Sequence, residues 1–310
     1  MTLIEIPAPP QVGTEAGPSG ASARGSHRLA SAGGGCEMQF ALHYLKGISP
    51  RAEPPWRMIG KLVHTAFANH YAVKLPNPPD YVKTPVREQL EAMAPSDPSN
   101  VQTAMQVLDA YKRWSAGEAW RPVFVEEEFR ATLGELDPGG PYPELDNEVI
   151  TCRSDLVVET NGELLIVDYK CTSGEWGQER LPRWSDHNEY RIFWQAMINL
   201  HILRKRLDRP VRGFVILRVK RKAPFDFDRN LLQIPKLAYE RTPRIAREFV
   251  RRELDLIRRV NAGERPVQNF TSCHSKHGPC DFINLCSADS AEFQGQVLDM
   301  DFVGPLSAGG

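Results

Sequence analysis

No stretch of this chain approaches the roughly 20 consecutive apolar residues that a membrane-spanning helix needs. The opening Met1-Thr2-Leu3-Ile4-Glu5-Ile6-Pro7 also lacks a basic segment followed by an apolar one, the mark of a secretory leader. A soluble, cytoplasmic protein with no membrane partner is the expectation. Nor does one sign of charge dominate: 38 Lys and Arg oppose 39 Asp and Glu, so no global field draws the molecule to a polyanion. No internal repeat is present. Cysteine is scarce, six in 310 residues, and in a reducing compartment such residues serve as metal or cluster ligands, or as small buried apolar groups, rather than as disulfides. Large apolar groups are rare over residues 1–28, which are rich in Pro, Gly, Ser and Ala. That composition predicts a disordered tail at 1–28, a folded domain over 29–290 and a second tail at 291–310.

What is present suffices for a proper core, since 41% of the residues are hydrophobic. Apolar residues at helical spacing predict helices over Cys36–Leu45, Met58–Tyr71, Val101–Trp114, Tyr190–Arg206 and Pro243–Val260. A Pro-bearing loop is expected from Ser49 to Trp56. Strands are expected over Pro122–Leu133, Glu148–Glu159, Leu164–Tyr169 and Gly213–Val219, with Asn161-Gly162 as a hairpin turn between the second and third. This order suggests a central sheet flanked by helices. Charge is also unevenly placed: residues 204–265 hold 19 Lys and Arg against 8 Asp and Glu. Such a stretch could follow a phosphate backbone, or form a solvated helix face.

The hairpin sets charged groups among apolar strand residues. Asp168 and Lys170 are two apart and share a face of their strand, and Asp155 can lie beside them on the preceding strand. Converging carboxylates repel, and a hard divalent cation such as magnesium is the simplest neutraliser. A lysine beside them would stabilise charge developing on a phosphate or hold an attacking water. His64 lies on an amphipathic helix, with Gly60 one turn earlier allowing close backbone approach on that side.

The ordered series Gly60-Lys61-Leu62-Val63-His64, Arg153-Ser154-Asp155, Ile166-Val167-Asp168-Tyr169-Lys170 and Gln195 resembles the motifs of RecB-type exonucleases of the PD-(D/E)xK superfamily. That group includes the nuclease parts of bacterial helicase–nucleases, CRISPR-adaptation nucleases and phage-encoded relatives. The resemblance implies an α/β restriction-endonuclease-like core with a mixed central sheet flanked by helices, a helical N-terminal part and a C-terminal cysteine clasp. It implies that His64, Asp155 and Asp168 bind Mg²⁺ or Mn²⁺, that Lys170 assists catalysis and that Gln195 helps organise the site. Glu126, within Glu126-Glu127-Glu128, resembles a glutamate on the preceding strand of relatives and is given a supporting role. Asn199 stands where the family has a tyrosine four residues after the glutamine, and Cys152 where it usually has glycine.

Cys273, Cys280 and Cys286 fall within fourteen residues in a loop-like segment, and thiolates gathered by a loop need a soft metal centre. Cys36 is far upstream. One early and three late cysteines resemble the iron–sulfur subset of the same family, although relatives most often have two residues, not six, between the second and third ligands. The resemblance implies a [4Fe-4S] cluster on Cys36, Cys273, Cys280 and Cys286. Zinc is the alternative, with His274 or His277 replacing one thiolate. Cys152 and Cys171 are expected to pack.

The implied function is a metal-dependent DNA exonuclease acting on single-stranded DNA or DNA ends, in phage recombination, repair or CRISPR adaptation. A recombination or adaptation protein is a candidate partner. The basic stretch, with Phe193 and Trp194 near it, could guide single-stranded DNA. The alternative is a catalytically silent, DNA-binding iron–sulfur subunit of a larger complex; a sequence-specific endonuclease would share the same core.

Overall fold

The computed structural model describes residues 24–51, 55–172, 187–269, 273–275, 278–287 and 291–303. In chain order its elements begin with α1 (Ser26–Gly34), α2 (Glu37–Phe40) running into a π-helical turn (Ala41–Leu45), β1 (Ser49–Pro50), α3 (Pro55–Ala72), α4 (Val86–Met93) and α5 (Pro98–Trp114). There follow β2 (Arg121–Thr132), α6 (Leu133–Leu136), β3 (Val149–Thr160), β4 (Glu163–Thr172), α7 (His187–Arg206), β5 (Val211–Lys220), β6 (Asp226–Leu231) and α8 (Lys236–Asn261). The last elements are β7 (His274–Ser275), β8 (Gly278–Pro279), α9 (Ile283–Ser287), α10 (Ala291–Asp301) and β9 (Phe302–Val303). Two compact units share the chain: Pro54–Phe129 with Arg153–Tyr239, called here the sheet unit, and Met1–Glu53 with Arg130–Cys152 and Glu240–Gly310, called the cysteine unit.

The five-stranded sheet has the order β2-β3-β4-β5-β6. Strands β3 and β4 form an antiparallel hairpin, β4 and β5 run parallel, and β5 and β6 are antiparallel. The hairpin closes on Asn161 and Gly162, both at positive φ (51° and 80°), which is the twist a two-residue turn requires. A parallel neighbour demands a crossover, and α7 supplies it between β4 and β5. The run Leu164-Leu165-Ile166-Val167 is buried throughout, as expected of a strand covered on both faces. On one side its core includes Leu62, Val63, Ala66 and Phe67 of α3 and Leu108 and Tyr111 of α5.

In the cysteine unit order begins earlier than composition suggests. Arg24 is 2% exposed and pairs with Glu148 at 2.5 Å and Glu253 at 3.2 Å, while Arg28 reaches the same Glu253 at 2.6 Å. Residues 24–28, assigned to the tail for want of apolar groups, are therefore fastened by ion pairs, and α1 starts at Ser26. Residues 1–23 of that tail lie outside the described residues. At the other end, residues expected to form the second tail build α10 and β9, with Val297 and Phe302 packed among Leu42, Ile48, Phe282 and Leu285. Strand β9 pairs with β1 through Pro50 and Phe302. Residues 288–290 and 304–310 are outside the described set.

Candidate active site and cysteine pocket

All the charged groups singled out on the hairpin lie in the sheet unit. The pair Leu156 and Val167 is in register, which sets Asp155 and Asp168 next in line on adjacent strands. Asp155 Oδ2 accepts a 2.8 Å hydrogen bond from the Tyr169 backbone N–H and lies 3.4 Å from His64 Nδ1. Helix α3 delivers His64 from its exposed flank, where the side chain keeps 31% of its surface open. The His64 ring also meets the Tyr169 ring edge-on at 5.5 Å. Gly60 plays a smaller part than expected, since a Cβ there would meet nothing within 4 Å.

A third donor joins these two. His64, Glu126 and Asp155 each offer a ligand atom, and the three atoms lie within 4.8 Å of one another; no other such group occurs among the described residues. Glu126 sits in β2 with φ 51°, a left-handed backbone that costs a non-glycine residue on the order of 1 kcal/mol and breaks the alternation of the strand. Burial, reinforced by the neighbouring Asp155 and Asp168, pushes its carboxyl up to about 8, against the opposing pull of Arg153. Burial also raises Asp155, with Asp168 adding to it and His64 and Lys170 working the other way. Two half-buried acids that resist ionising together are what a divalent cation would relieve, and an imidazole with two carboxylates suits Mg²⁺ or Mn²⁺.

Asp168 is engaged differently from its expected place as a ligand beside His64. It is 5% exposed, its Oδ2 lies 2.6 Å from Lys170 Nζ, and its Oδ1 accepts a 2.8 Å hydrogen bond from Gln195 Nε2. Gln195 Oε1 is 3.4 Å from the same ammonium. Asp168, Lys170 and Gln195 thus close a triangle of one ion pair and two hydrogen bonds next to the His64, Glu126, Asp155 group. Burial works against the Lys170 charge, but Asp168 and Asp155 outweigh it and hold the ammonium above its ordinary value. Lys170 is therefore held in its charged form beside Asp168. Its side chain remains 36% exposed, so a substrate oxygen can reach it.

Two expectations about the surroundings change. Phe193 and Trp194 are 3% and 1% exposed and present no face to a nucleic acid, because this part of the crossover helix α7 is buried. Of the basic stretch, Arg247 is fully buried on Asp137 and Asp146, while Arg251 and Arg252 with Glu248, and Arg258 and Arg259 with Asp255, form ion pairs along a solvent-facing side of α8 and stay open to solvent. Asn199 is buried, in keeping with a packing position. Cys152 is buried and Cys171 packs against the core.

The other four cysteines line one pocket of the cysteine unit, together with Gln39, Gln268, Asn269 and Ile283. All four are free thiols. Cys36 Sγ receives the Asn269 N–H at 3.4 Å, and the Cys280 N–H donates to Cys273 O at 2.7 Å. Burial raises Cys280, and burial with the three other thiols pushes Cys286 up to about 11. No three of these sulfurs lie within 4.8 Å of one another among the described residues. His277 lies outside the described residues, as does the side chain of His274.

The family model described as the PD-(D/E)XK nuclease superfamily matches residues 27–287. No curated protein matches the chain. Among solved structures, one of a provisionally assigned exonuclease from Eubacterium rectale is similar with a TM-score of 0.48 at 14% identity, covering 81% of this chain and 85% of that one. A second, SSO0001, has a TM-score of 0.29 at 12% identity and covers 62% and 74%. The match to the family model is the one that bears on what this chain is. Among the described residues no helix is long and apolar enough to cross a membrane.

Proposed function

Because the chain belongs to the PD-(D/E)XK nuclease superfamily, we propose that it is a metal-dependent deoxyribonuclease working as an exonuclease on single-stranded DNA or DNA ends. The observation that carries this reading is the meeting of His64, Glu126 and Asp155 beside the Asp168, Lys170, Gln195 triangle. A divalent cation bound by the first three would polarise a scissile phosphate and acidify a water. The remaining work falls to the chain. The Tyr169 N–H fixes the Asp155 carboxylate, Asp168 and Gln195 hold Lys170 in one direction, and the Lys170 ammonium stabilises the extra negative charge of the five-coordinate phosphorus. Asp168, turned toward Lys170, sets the position of the ammonium that stabilises this charge; it can add an oxygen to the metal only by sharing its carboxylate.

The cysteine pocket is proposed to hold a [4Fe-4S] cluster. Four free thiols around one cavity, with the Asn269 N–H directed at the Cys36 sulfur, suit an anionic centre and support this reading. Six free cysteines fit a reducing, cytoplasmic setting. Recombination, repair and CRISPR adaptation are the processes in which such an enzyme would meet DNA and its protein partners.

One assay separates the readings. Purified protein is incubated with linear single-stranded, linear double-stranded and closed circular DNA, with Mg²⁺, with Mn²⁺ and with chelator. Shortening of linear DNA only, lost on chelation and in Lys170→Ala, is expected. Cutting of closed circles would make the enzyme an endonuclease, and DNA binding without cleavage in any metal would leave a silent subunit. Iron analysis with a visible absorbance band tests the cluster, and stoichiometric zinc without iron ends it.

A further inference from the structure

Tyr169 stands between Asp168 and Lys170 on β4, and its side chain leaves the strand on the opposite face from theirs. The ring is wholly buried in the core that includes Leu62, Val63, Phe67 and Tyr111. There it is held between two rings of α3. It meets His64 edge-on at 5.5 Å and 83°, and Phe67 edge-on at 5.1 Å and 87°. His64 and Phe67 are three residues apart on that helix, so they are neighbours on one side of it. Phe67 in turn stacks on Tyr111 of α5 at 4.3 Å. Edge-to-face contacts of this kind depend on angle as well as distance, and a ring braced on both sides transmits its angle to whatever it touches.

A histidine that presents one nitrogen to a cation needs its ring angle set. His64 keeps 31% of its side-chain surface open, and an imidazole on a helix flank can otherwise turn between rotamers. Among the described residues its polar contact is with Asp155 Oδ2, at 3.4 Å, and its ring contact is with Tyr169. The same Asp155 oxygen accepts the Tyr169 backbone N–H at 2.8 Å. One residue thus touches both ligand candidates, the carboxylate through its backbone and the imidazole through its side chain. The phenol hydroxyl has no hydrogen-bond partner among the described residues, so the ring carries the contact.

We propose that Tyr169 is a positioning residue whose ring sets the angle of the His64 imidazole against the Asp155 carboxylate, so that a divalent cation meets both in one fixed geometry. The cation in this proposal rests on the nuclease reading above; the ring contact stands without it.

The first measurement is made without metal. NMR relaxation of isotope-labelled histidine rings reports how firmly His64 is held, its signal being assigned by its loss in His64→Ala. Tyr169→Leu, which stays apolar but removes the ring, is expected to make the His64 imidazole more mobile and to leave His201 of α7 as in the parent, whereas Tyr169→Phe matches the parent at both. Isothermal titration should then show Mn²⁺ affinity falling roughly ten-fold in Tyr169→Leu, a usual loss for a group that orients a ligand, and unchanged in Tyr169→Phe. Added to His64→Ala, Tyr169→Leu should cause no further fall. Leu108→Ala, a cavity in the same core, is expected to lower the thermal midpoint with Mn²⁺ affinity kept. Unchanged His64 mobility in Tyr169→Leu, or an equal loss of affinity in Leu108→Ala, overturns the proposal. Should Tyr169→Leu not fold, Tyr169→Met replaces it, because an unbranched side chain fills the space without a ring. If the parent binds no Mn²⁺ and cuts no DNA, the nuclease reading fails by itself, and the relaxation comparison still decides Tyr169.

Discussion

A left-handed backbone in the middle of a strand persists only when the surroundings demand it, and at Glu126 the demand is the position of one carboxylate beside His64 and Asp155. Glu126→Gln keeps the size and removes the charge. It is expected to weaken Mn²⁺ binding by at least ~10-fold, read by isothermal titration, with the fold intact by circular dichroism; unchanged affinity would show that this side chain does not touch the ion. The motif residues His64, Asp155, Asp168, Lys170 and Gln195 were legible because each stands at a fixed offset in an ordered series. Glu126 was legible only as a supporting residue, since three consecutive glutamates offer no offset and the kink that selects one of them defeats period-two reading. A second titrating residue bears on stability and not on catalysis. Burial, together with Lys74 and Lys112, lowers His70 from 6.5 to about 4, so between those values the unfolded chain takes up a proton that the folded protein refuses. Stability is thus present above pH 6.5 and drains as pH falls toward 4. Urea midpoints measured across that window should fall less steeply for His70→Gln than for the parent.

Among the elements, the hairpin of β3 and β4 does most to assemble the site, because its register fixes Asp155 against Asp168. Gly162 at φ 80° holds the second turn position, and Gly162→Ala forces a Cβ into that conformation. A loss of about 1 kcal/mol in urea unfolding is expected, although no neighbour crowds the position; an unchanged midpoint would mean that the turn relaxes without cost. Elements with a strong apolar period, α3, α5, α7 and β3 to β5, were readable from the sequence for the same reason that they form the core. Strand β6 was hidden because Asp226, Asp228, Arg229 and Asn230 leave Phe227 as its buried residue. It is an edge strand, and its polar side chains do their work in pairs such as Arg229 with Glu118 at 2.5 Å. Helices α4 and α10 were hidden by shortness and by having one firmly buried anchor apiece among the described side chains, Leu90 and Val297.

At the scale of the whole chain, the cysteine unit is built from three sequence segments that must find one another across long intervals. Its polar cross-links, Arg24 and Arg28 on Glu253 and Arg259 on Glu37 at 2.6 Å, join the first segment to the last, and so does the cysteine pocket. Cys36 and Cys273 are 237 positions apart, and tying them removes loop-closure entropy of about 5 kcal/mol from the unfolded chain, by analogy with a covalent link. The ion pairs can form only after the segments have met, whereas a cluster on the four thiols would hold them together. Cys36→Ser is therefore expected to cost iron and the visible band, to lower the thermal midpoint by several degrees and to open residues 24–51 to limited proteolysis. The helix ladder of α3 and the hairpin should stay resistant, since their core is complete within the sheet unit. Retention of the parent midpoint and cleavage pattern in Cys36→Ser, with iron gone, would show that the pocket stabilises nothing and that the three segments are held by the charge pairs alone.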